Sequence, residues 1–316
     1  MTPAITVLMP IYNCAPYLEE AIRSTLRQSF KDFELLLIDD GSTDDTDKIV
    51  HTFNDARINF HRRSHYGLVS QLNYGLREAK SDIIARMDGD DVMMPERLQI
   101  QMQFMTSHSS IGVLGSSYVS INDEGEHKGV RQFPLSDKEI KDAFPLYNPI
   151  QHPCSMFRRF LILNTGGYRE KYYLVEDLDL WLRLSNQTEF ANIDEPLLLK
   201  REQMSSITLR HQKRSKEVQL ALARDFIDSR MIETADEKEI FTWNLKLARC
   251  EYYYGSTDSS RLLFLKLFKK KPFHLSIVRY LLSASLGEKL KDELSNSIFY
   301  NFFKNMFKIR FRKYTL

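Results

Sequence analysis

Residues 33–46 read FELLLIDDGSTDDT. A short run dominated by apolar residues passes directly into two aspartates, a glycine and small polar residues. Such a run, bounded by turn formers, reads as a strand buried on both faces, because a buried helix needs about ten residues or more. Strands of that kind belong to parallel sheets covered by helices. The alternation repeats on either side. Ile5–Pro10 is a strand, and Pro16 suits the first turn of a following helix with Leu18, Ile22, Thr25 and Leu26 at helical spacing. Asp44, Asp45 and Thr46 can cap a helix carrying Ile49, Val50 and Phe53. Ile58–Phe60 is a third strand, and Leu68–Ala79 is a helix with Leu68, Leu72 and Leu76 on one face. Ile83–Met87 is a fourth strand, and a helix opens at Pro95. The expected fold class is therefore α/β, a Rossmann-like, mostly parallel sheet flanked by helices. Further on, strands are expected at 111–121 and 188–200 and a helix at 177–186. From about 210 the chain reads as helical, broken at Gly255, Pro272 and Gly287. The expected domains are 1–210 and a helical, basic, aromatic-rich region over 211–316.

In open α/β sheets, ligands bind beyond the C-terminal strand ends. Chemistry is thus expected just after residues 10, 38 and 87. Tyr12-Asn13, Asp39-Asp40-Gly41-Ser42 and Asp88-Gly89-Asp90-Asp91 stand there, all polar and two of them acidic. Asp39 and Asp40 can accept from a base N–H or a ribose hydroxyl, with Gly41 letting the turn approach a ligand closely. A plain turn leading into the next helix is the other reading. Three carboxylates within residues 88–91 repel one another, and a bound cation relieves that repulsion. Hard oxygen ligands suit Mg²⁺ or Mn²⁺. A solvated acidic turn is the other reading here. Glu176-Asp177 opens a helix, where an anion is stabilised by the helix dipole, so on position alone an N-cap is favoured. His152 lies in a loop-like stretch and is either structural or part of an acceptor site. Arg62 and Arg63 follow the third strand, as contacts to a base or diphosphate or as a solvated edge.

The 316 residues suffice for one large or two modest domains. Three scattered cysteines make neither a disulfide framework nor a zinc cluster, which favours a reducing compartment. The start, MTPAITVLMPIYN, lacks the basic and long apolar regions of a signal peptide, and no run reaches the ~18 apolar residues of a membrane span. Residues 261–316 carry 13 Lys or Arg against 3 Asp or Glu, which leaves 31 against 39 for the rest. The tail is basic and the body acidic.

Taken together, ITVLMPIYN at 5–13, LLLIDDGSTDDT at 35–46, QLNYGLREAKSDIIARMDGDDVMMPERL at 71–98, QHPCSMFRR at 151–159 and GGYREKYYLVEDLDLWLRL at 166–184 resemble the family-2 inverting glycosyltransferases of the GT-A fold. The resemblance covers roughly residues 4–210. It implies that Pro10 and Tyr12 line a base pocket, with Asp39, Asp40 and Arg63 on the donor. Asp88 would contact the ribose or sugar. Asp90 would be the principal metal ligand with Asp91 beside it, and Asp177 the general base. His152 and Glu176 are expected near the acceptor or behind the site. Relatives often carry an Arg-x-His segment where this chain has Lys200-Arg201-Glu202-Gln203, so His211 is the candidate substitute.

The implied activity is transfer of a sugar from a nucleoside diphosphate sugar, UDP by default, to an acceptor hydroxyl with inversion. The setting would be bacterial surface polysaccharide or lipid-linked glycan synthesis. A single base suits one displacement, whereas a glycosidase needs a flanking acid–base pair. A sugar-phosphate nucleotidyltransferase would carry a glycine-rich, basic loop after the first strand, and residues 10–16 have neither glycine nor base. A catalytically inactive nucleotide-sugar-binding scaffold is the non-enzyme alternative. In the tail, RLLFLKLFKKKPF at 261–273 and NFFKNMFKIRFRKY at 301–314 interleave cations with aromatics, including Phe264, Phe268 and Phe273. Peripheral attachment to an anionic membrane surface on the cytoplasmic side is expected, with a helical subdomain packing its own aromatics as the competing reading. The acidic body opposes nucleic acid.

Overall fold

The computed structural model describes residues 2–202, 211–272 and 274–285. They fall in two compact units, one of residues 2–143 and 149–202, the other of residues 144–148 and 211–285.

The first unit is built on β1 (Ile5–Ile11), α1 (Ala15–Leu26), β2 (Phe33–Asp39), α2 (Thr46–Val50), β3 (Ile58–Arg62), α3 (Leu68–Glu78) and β4 (Ile83–Arg86). There follow β5 (Val92–Met93), α4 (Arg97–Ser107), β6 (Ile111–Ile121), β7 (His127–Arg131), α5 (Asp137–Ala143), β8 (Met156–Arg158), α6 (Arg159–Asn164), α7 (Glu176–Leu184) and β9 (Glu189–Arg201). The sheet order is β3-β2-β1-β4-β8-β6-β9-β5, with β7 alongside β6. Strands β1 to β4, β6 and β9 run one way, and β5, β7 and β8 run against them. All seven residues of β1 and of β2 are buried, as a strand covered on both faces requires.

Register places the loops. Ile11 stands beside Asp39, Asp39 beside Arg62, and Leu8 beside Arg86. The turns after β1, β2, β3 and β4 therefore leave the sheet along one edge. Close packing holds that edge in place. A Cβ on Gly75 of α3 would come 2.3 Å from Cδ1 of the buried Leu8, so the helix lies directly on β1. Gly41 has φ of +75°, and a Cβ there would meet the backbone of Arg63 and His65 at 3.1 Å. Only glycine makes that turn without strain.

Two boundaries differ from expectation. The helix expected to carry Phe53 stops at Val50. Asp44 accepts from the amides of Ala15 (3.0 Å) and Thr46 (3.1 Å), so it ties two helix starts together. The helix expected at Pro95 begins at Arg97.

The second unit contains α8 (Gln212–Glu233), α9 (Glu237–Tyr254), α10 (Thr257–Lys270) and α11 (Leu275–Ser285). Its core joins Ala248, Tyr252, Phe264, Leu267, Ile277 and Tyr280, and Phe264 stacks on Tyr280 at 4.9 Å. Phe264, expected at a lipid interface, is thus a core residue, because it faces α9 and α11. Leu262, Leu265 and Phe268 of α10 are exposed, beside exposed Arg261, Lys266, Lys269 and Lys270. Phe273 and the aromatic segment at 301–314 lie outside the described residues. No described helix is long and apolar enough to cross a membrane.

Candidate active site

The turn after β4 gathers Asp88, Asp90 and Asp91, with one carboxylate oxygen from each within 4.8 Å of the others. Asp91 is fully buried. Its Oδ1 accepts from the Arg201 amide at 2.8 Å, while its Oδ2 is buried with no hydrogen-bond partner. Burial pushes its carboxyl well above the usual range, and the charges of Asp90 and Asp88 add to that. Burial and then Asp88 push Asp90 up to about 6. Asp88 pairs with Nη1 of the buried Arg86 at 2.5 Å. Crowded carboxylates with a buried, unpartnered oxygen are a donor set that a hard divalent cation fits. Among the described residues no other group of metal-ligating side chains gathers in this way. His211 belongs to the second unit, as the exposed N-cap residue of α8.

Buried side chains brace this turn from below and behind. Arg97, wholly buried, donates to the Arg86 carbonyl (2.8 Å) and the Ser155 carbonyl (3.3 Å), and Gln101 donates to the Cys154 carbonyl (2.8 Å). Arg201 donates to the carbonyls of Asp90 (3.0 Å), Asn122 and Asp123 (both 2.9 Å) and to Glu20 (2.8 Å).

The turns after β2 and β3 form a second wall. Asp39 is buried and accepts from the Ser42 amide and hydroxyl, with Arg62 Nε 3.6 Å from its Oδ2. Asp40 accepts from the amides of Tyr66 (2.8 Å) and Gly67 (3.1 Å) and from Gln71, and its Oδ2 lies 2.8 Å from His65 Nδ1. In this structure its carboxylate therefore holds loop 64–67. Arg63 is engaged with Gln71 and the ring of Tyr74 (3.9 Å). Pro10 is buried within β1 beside Ile38, and the exposed Tyr12 stacks on His65 at 4.4 Å.

Glu176 and Asp177 begin α7. Glu176 is buried, accepts from the Leu174 amide at 2.9 Å, and is pushed up to about 7 by burial and by Asp177. Asp177 is only half-buried and accepts from the Leu178 amide at 2.7 Å. Neither acts as an N-cap, since the N-cap residue is Val175. The preceding loop is pinned from two sides. Asn73 exchanges two hydrogen bonds of 2.8 Å with the backbone of Tyr168, and Asp179, fully buried, binds Arg169 and Arg183. His152 is buried and shares a 2.8 Å hydrogen bond with the Tyr168 hydroxyl. Burial, followed by the charges of Arg86 and Lys200, holds its imidazole well below the ordinary value and thus neutral. Arg86 lies within electrostatic reach of Asp88, Asp91, Tyr168 and Glu176, so its charge links the acidic turn to the start of α7.

Sequence reasoning passed over Arg86, Tyr168, Gln71 and the ammonium of Lys200. A charged residue inside or at the end of an otherwise apolar strand, as in IIARMD at 83–88, was the available signal.

The sequence profile of glycosyl transferase family 2 matches residues 6–166, more than half of the chain. The chain belongs to glycosyl transferase family 2. This family-2 chain is 34% identical over 207 residues to the putative glycosyltransferase EpsE of Bacillus subtilis, covering 63% of the present chain and 73% of EpsE. It is also 34% identical over 200 residues to the O-antigen biosynthesis glycosyltransferase WbnJ of Escherichia coli, covering 61% and 78% of the two chains. Among solved structures it resembles S. aureus TarS in complex with UDP-GlcNAc, with a TM-score of 0.61 at 20% identity over 89% of this chain and 79% of that one. At that identity the likeness concerns the fold, which is the GT-A type.

Proposed function

We propose that this glycosyltransferase moves a sugar from a nucleoside diphosphate sugar, UDP first among the bases, to an acceptor hydroxyl with inversion at the anomeric carbon. The observation that carries the reading is the acidic turn, where Asp88, Asp90 and Asp91 converge and a buried Asp91 oxygen has no hydrogen-bond partner. Asp90 and Asp91, with Asp88 alongside, would hold Mg²⁺ or Mn²⁺, which when bound neutralises charge on the departing diphosphate. Tyr12, Asp39 and Asp40 border the place for the base. Asp177 takes the proton from the acceptor hydroxyl. It suits that role better than Glu176, because it is half-buried and can meet an acceptor, whereas Glu176 is enclosed. The neutral His152 supports Tyr168 behind that base.

The catalytic part is assigned to residues 1–210 and a helical accessory region to 211–316. The product is assigned to bacterial surface polysaccharide or lipid-linked glycan synthesis, as the O-antigen role in the name of WbnJ suggests. Exposed Leu262, Leu265 and Phe268 among cations support a peripheral position on the cytoplasmic face of an anionic membrane, with the aromatic bodies at the headgroups.

The test is calorimetric binding and product detection for a panel of nucleotide sugars, with and without Mn²⁺, on wild type and Asp90→Ala. Metal-dependent binding of one donor, lost in Asp90→Ala, is expected. A folded wild type that binds none of the panel refutes the reading and leaves the inactive scaffold.

A further inference from the structure

Strand β9 runs past the acidic turn. Leu199 pairs with Val92, the Arg201 amide donates to Asp91, and Lys200 sits between them opposite Ser120 on β6. Lys200 is partly buried, with its ammonium 5.4 Å from the ring of Tyr118. Its charge reaches Asp88, Asp90 and Asp91. Yet among the described residues this ammonium makes no hydrogen bond and no ion pair. The other three cations around the turn are engaged, Arg86 with Asp88, Arg97 with the Arg86 and Ser155 carbonyls, and Arg201 with Glu20 and three carbonyls.

Without a cation, Asp91 and Asp88 hold this ammonium in its charged form against burial, and a divalent cation bound among the carboxylates cancels that support. Formal charge indicates which anion. Three carboxylates, one divalent cation and the paired Arg86 sum to zero, and the buried Arg97 adds a further positive charge, so the charge of Lys200 is left without a counterpart. A group entering beside the cation must then carry negative charge and several acceptor oxygens, which describes a diphosphate.

We propose that Lys200 is a donor-binding residue that contacts the diphosphate of the nucleotide sugar directly, as a second cationic contact beside the metal. The inference rests on the donor-site reading above. In that arrangement a fixed side-chain charge shares the load of the leaving group, and diphosphate affinity does not depend on the metal alone.

The experiment is calorimetric titration of wild type, Lys200→Met and Lys200→Arg with UDP, GDP and dTDP at saturating Mn²⁺. Mn²⁺ alone and the matching nucleoside serve as separate titrants. For the diphosphate that wild type binds, Lys200→Met is expected to weaken binding about tenfold or more, the usual size of a lost charge-assisted hydrogen bond. Lys200→Arg should stay within about threefold of wild type. Nucleoside affinity should not change, and Mn²⁺ alone should bind Lys200→Met at least as tightly, because a repelling charge has gone. If Lys200→Met fails to fold, Lys200→Gln gives the same comparison. Diphosphate affinity unchanged in the folded, uncharged variant overturns the role of Lys200 while leaving the donor site standing. A wild type that binds none of the three overturns the donor-site reading, and this inference with it.

Discussion

Replacing Asp90 by Asn should make the metal-free protein more stable at neutral pH while removing its response to metal. The magnitude follows from the raised carboxyl. Asp90 titrates at about 6 in the fold against an ordinary value of 3.8. Its ionisation at pH 7.5 therefore costs the folded state up to about 3 kcal/mol, since a tenfold change in proton affinity is worth about 1.4 kcal/mol. Burial is the main cause and the Asp88 charge the next, and the amide of Asn escapes both. Because the folded value lies above the unfolded one, the folded state binds the extra proton as pH falls. The penalty is thus present above about pH 6, falls to roughly half near pH 5, and is mostly gone at pH 4. Relaxation around the turn reduces the ceiling, so a gain of about 1–2 kcal/mol, or roughly 3–6 °C in Tm, is expected at pH 7.5. The assay is thermal unfolding of wild type and Asp90→Asn at pH 7.5, 5 and 4, each with EDTA and with Mn²⁺. Mn²⁺ should raise the wild-type midpoint and leave the variant nearly unmoved. A variant that melts no higher than wild type at pH 7.5 in EDTA, or whose advantage grows as pH falls, refutes the reasoning.

Asp177→Asn should lower transfer at least a hundredfold with donor affinity within about threefold, measured by product formation and calorimetry on one preparation. Lost donor binding together with a lowered melting temperature would instead make the residue structural. Gly75→Ala should destabilise the protein by about 1–2 kcal/mol in urea unfolding, since crowding against Leu8 outweighs the better helix propensity of alanine. Leu265→Glu with Phe268→Glu should abolish co-flotation with vesicles containing anionic lipid and leave donor binding intact. Wild-type protein that stays at the bottom of the gradient dismisses the membrane face.

What the sequence showed and what it hid divide along a physical line. Buried strands such as ITVLMPI and FELLLID announce themselves because both faces need apolar residues, and the acidic turn does so because like charges rarely cluster without reason. The two residues of β5 and the three of β8 carry no period of their own and become strands only by pairing with β9, β4 and β6. Phe264 and Phe268 look alike in a list of aromatics, yet four residues apart on α10 one is in the core and the other at the surface. Asp40 was legible as a polar residue at a strand end, but not its engagement with the amides of Tyr66 and Gly67, which depends on the path of a loop. Lys200 and Arg86 were hidden for a similar reason, since a lone cation in a strand does not reveal what it faces.

The hydrogen bond from the Arg201 amide to Asp91 closes a loop of 110 residues. One oxygen of the acidic turn is therefore oriented by the last strand of the unit, although all three aspartates lie in its first half. A nascent chain that has emerged only as far as β6 contains all three aspartates of the turn, but neither Glu176 nor Asp177, and cannot yet fix the geometry of the turn. On the proposed reading, metal and donor capture would in this way be tied to completion of the sheet, and a truncated product of interrupted synthesis would not sequester nucleotide sugar.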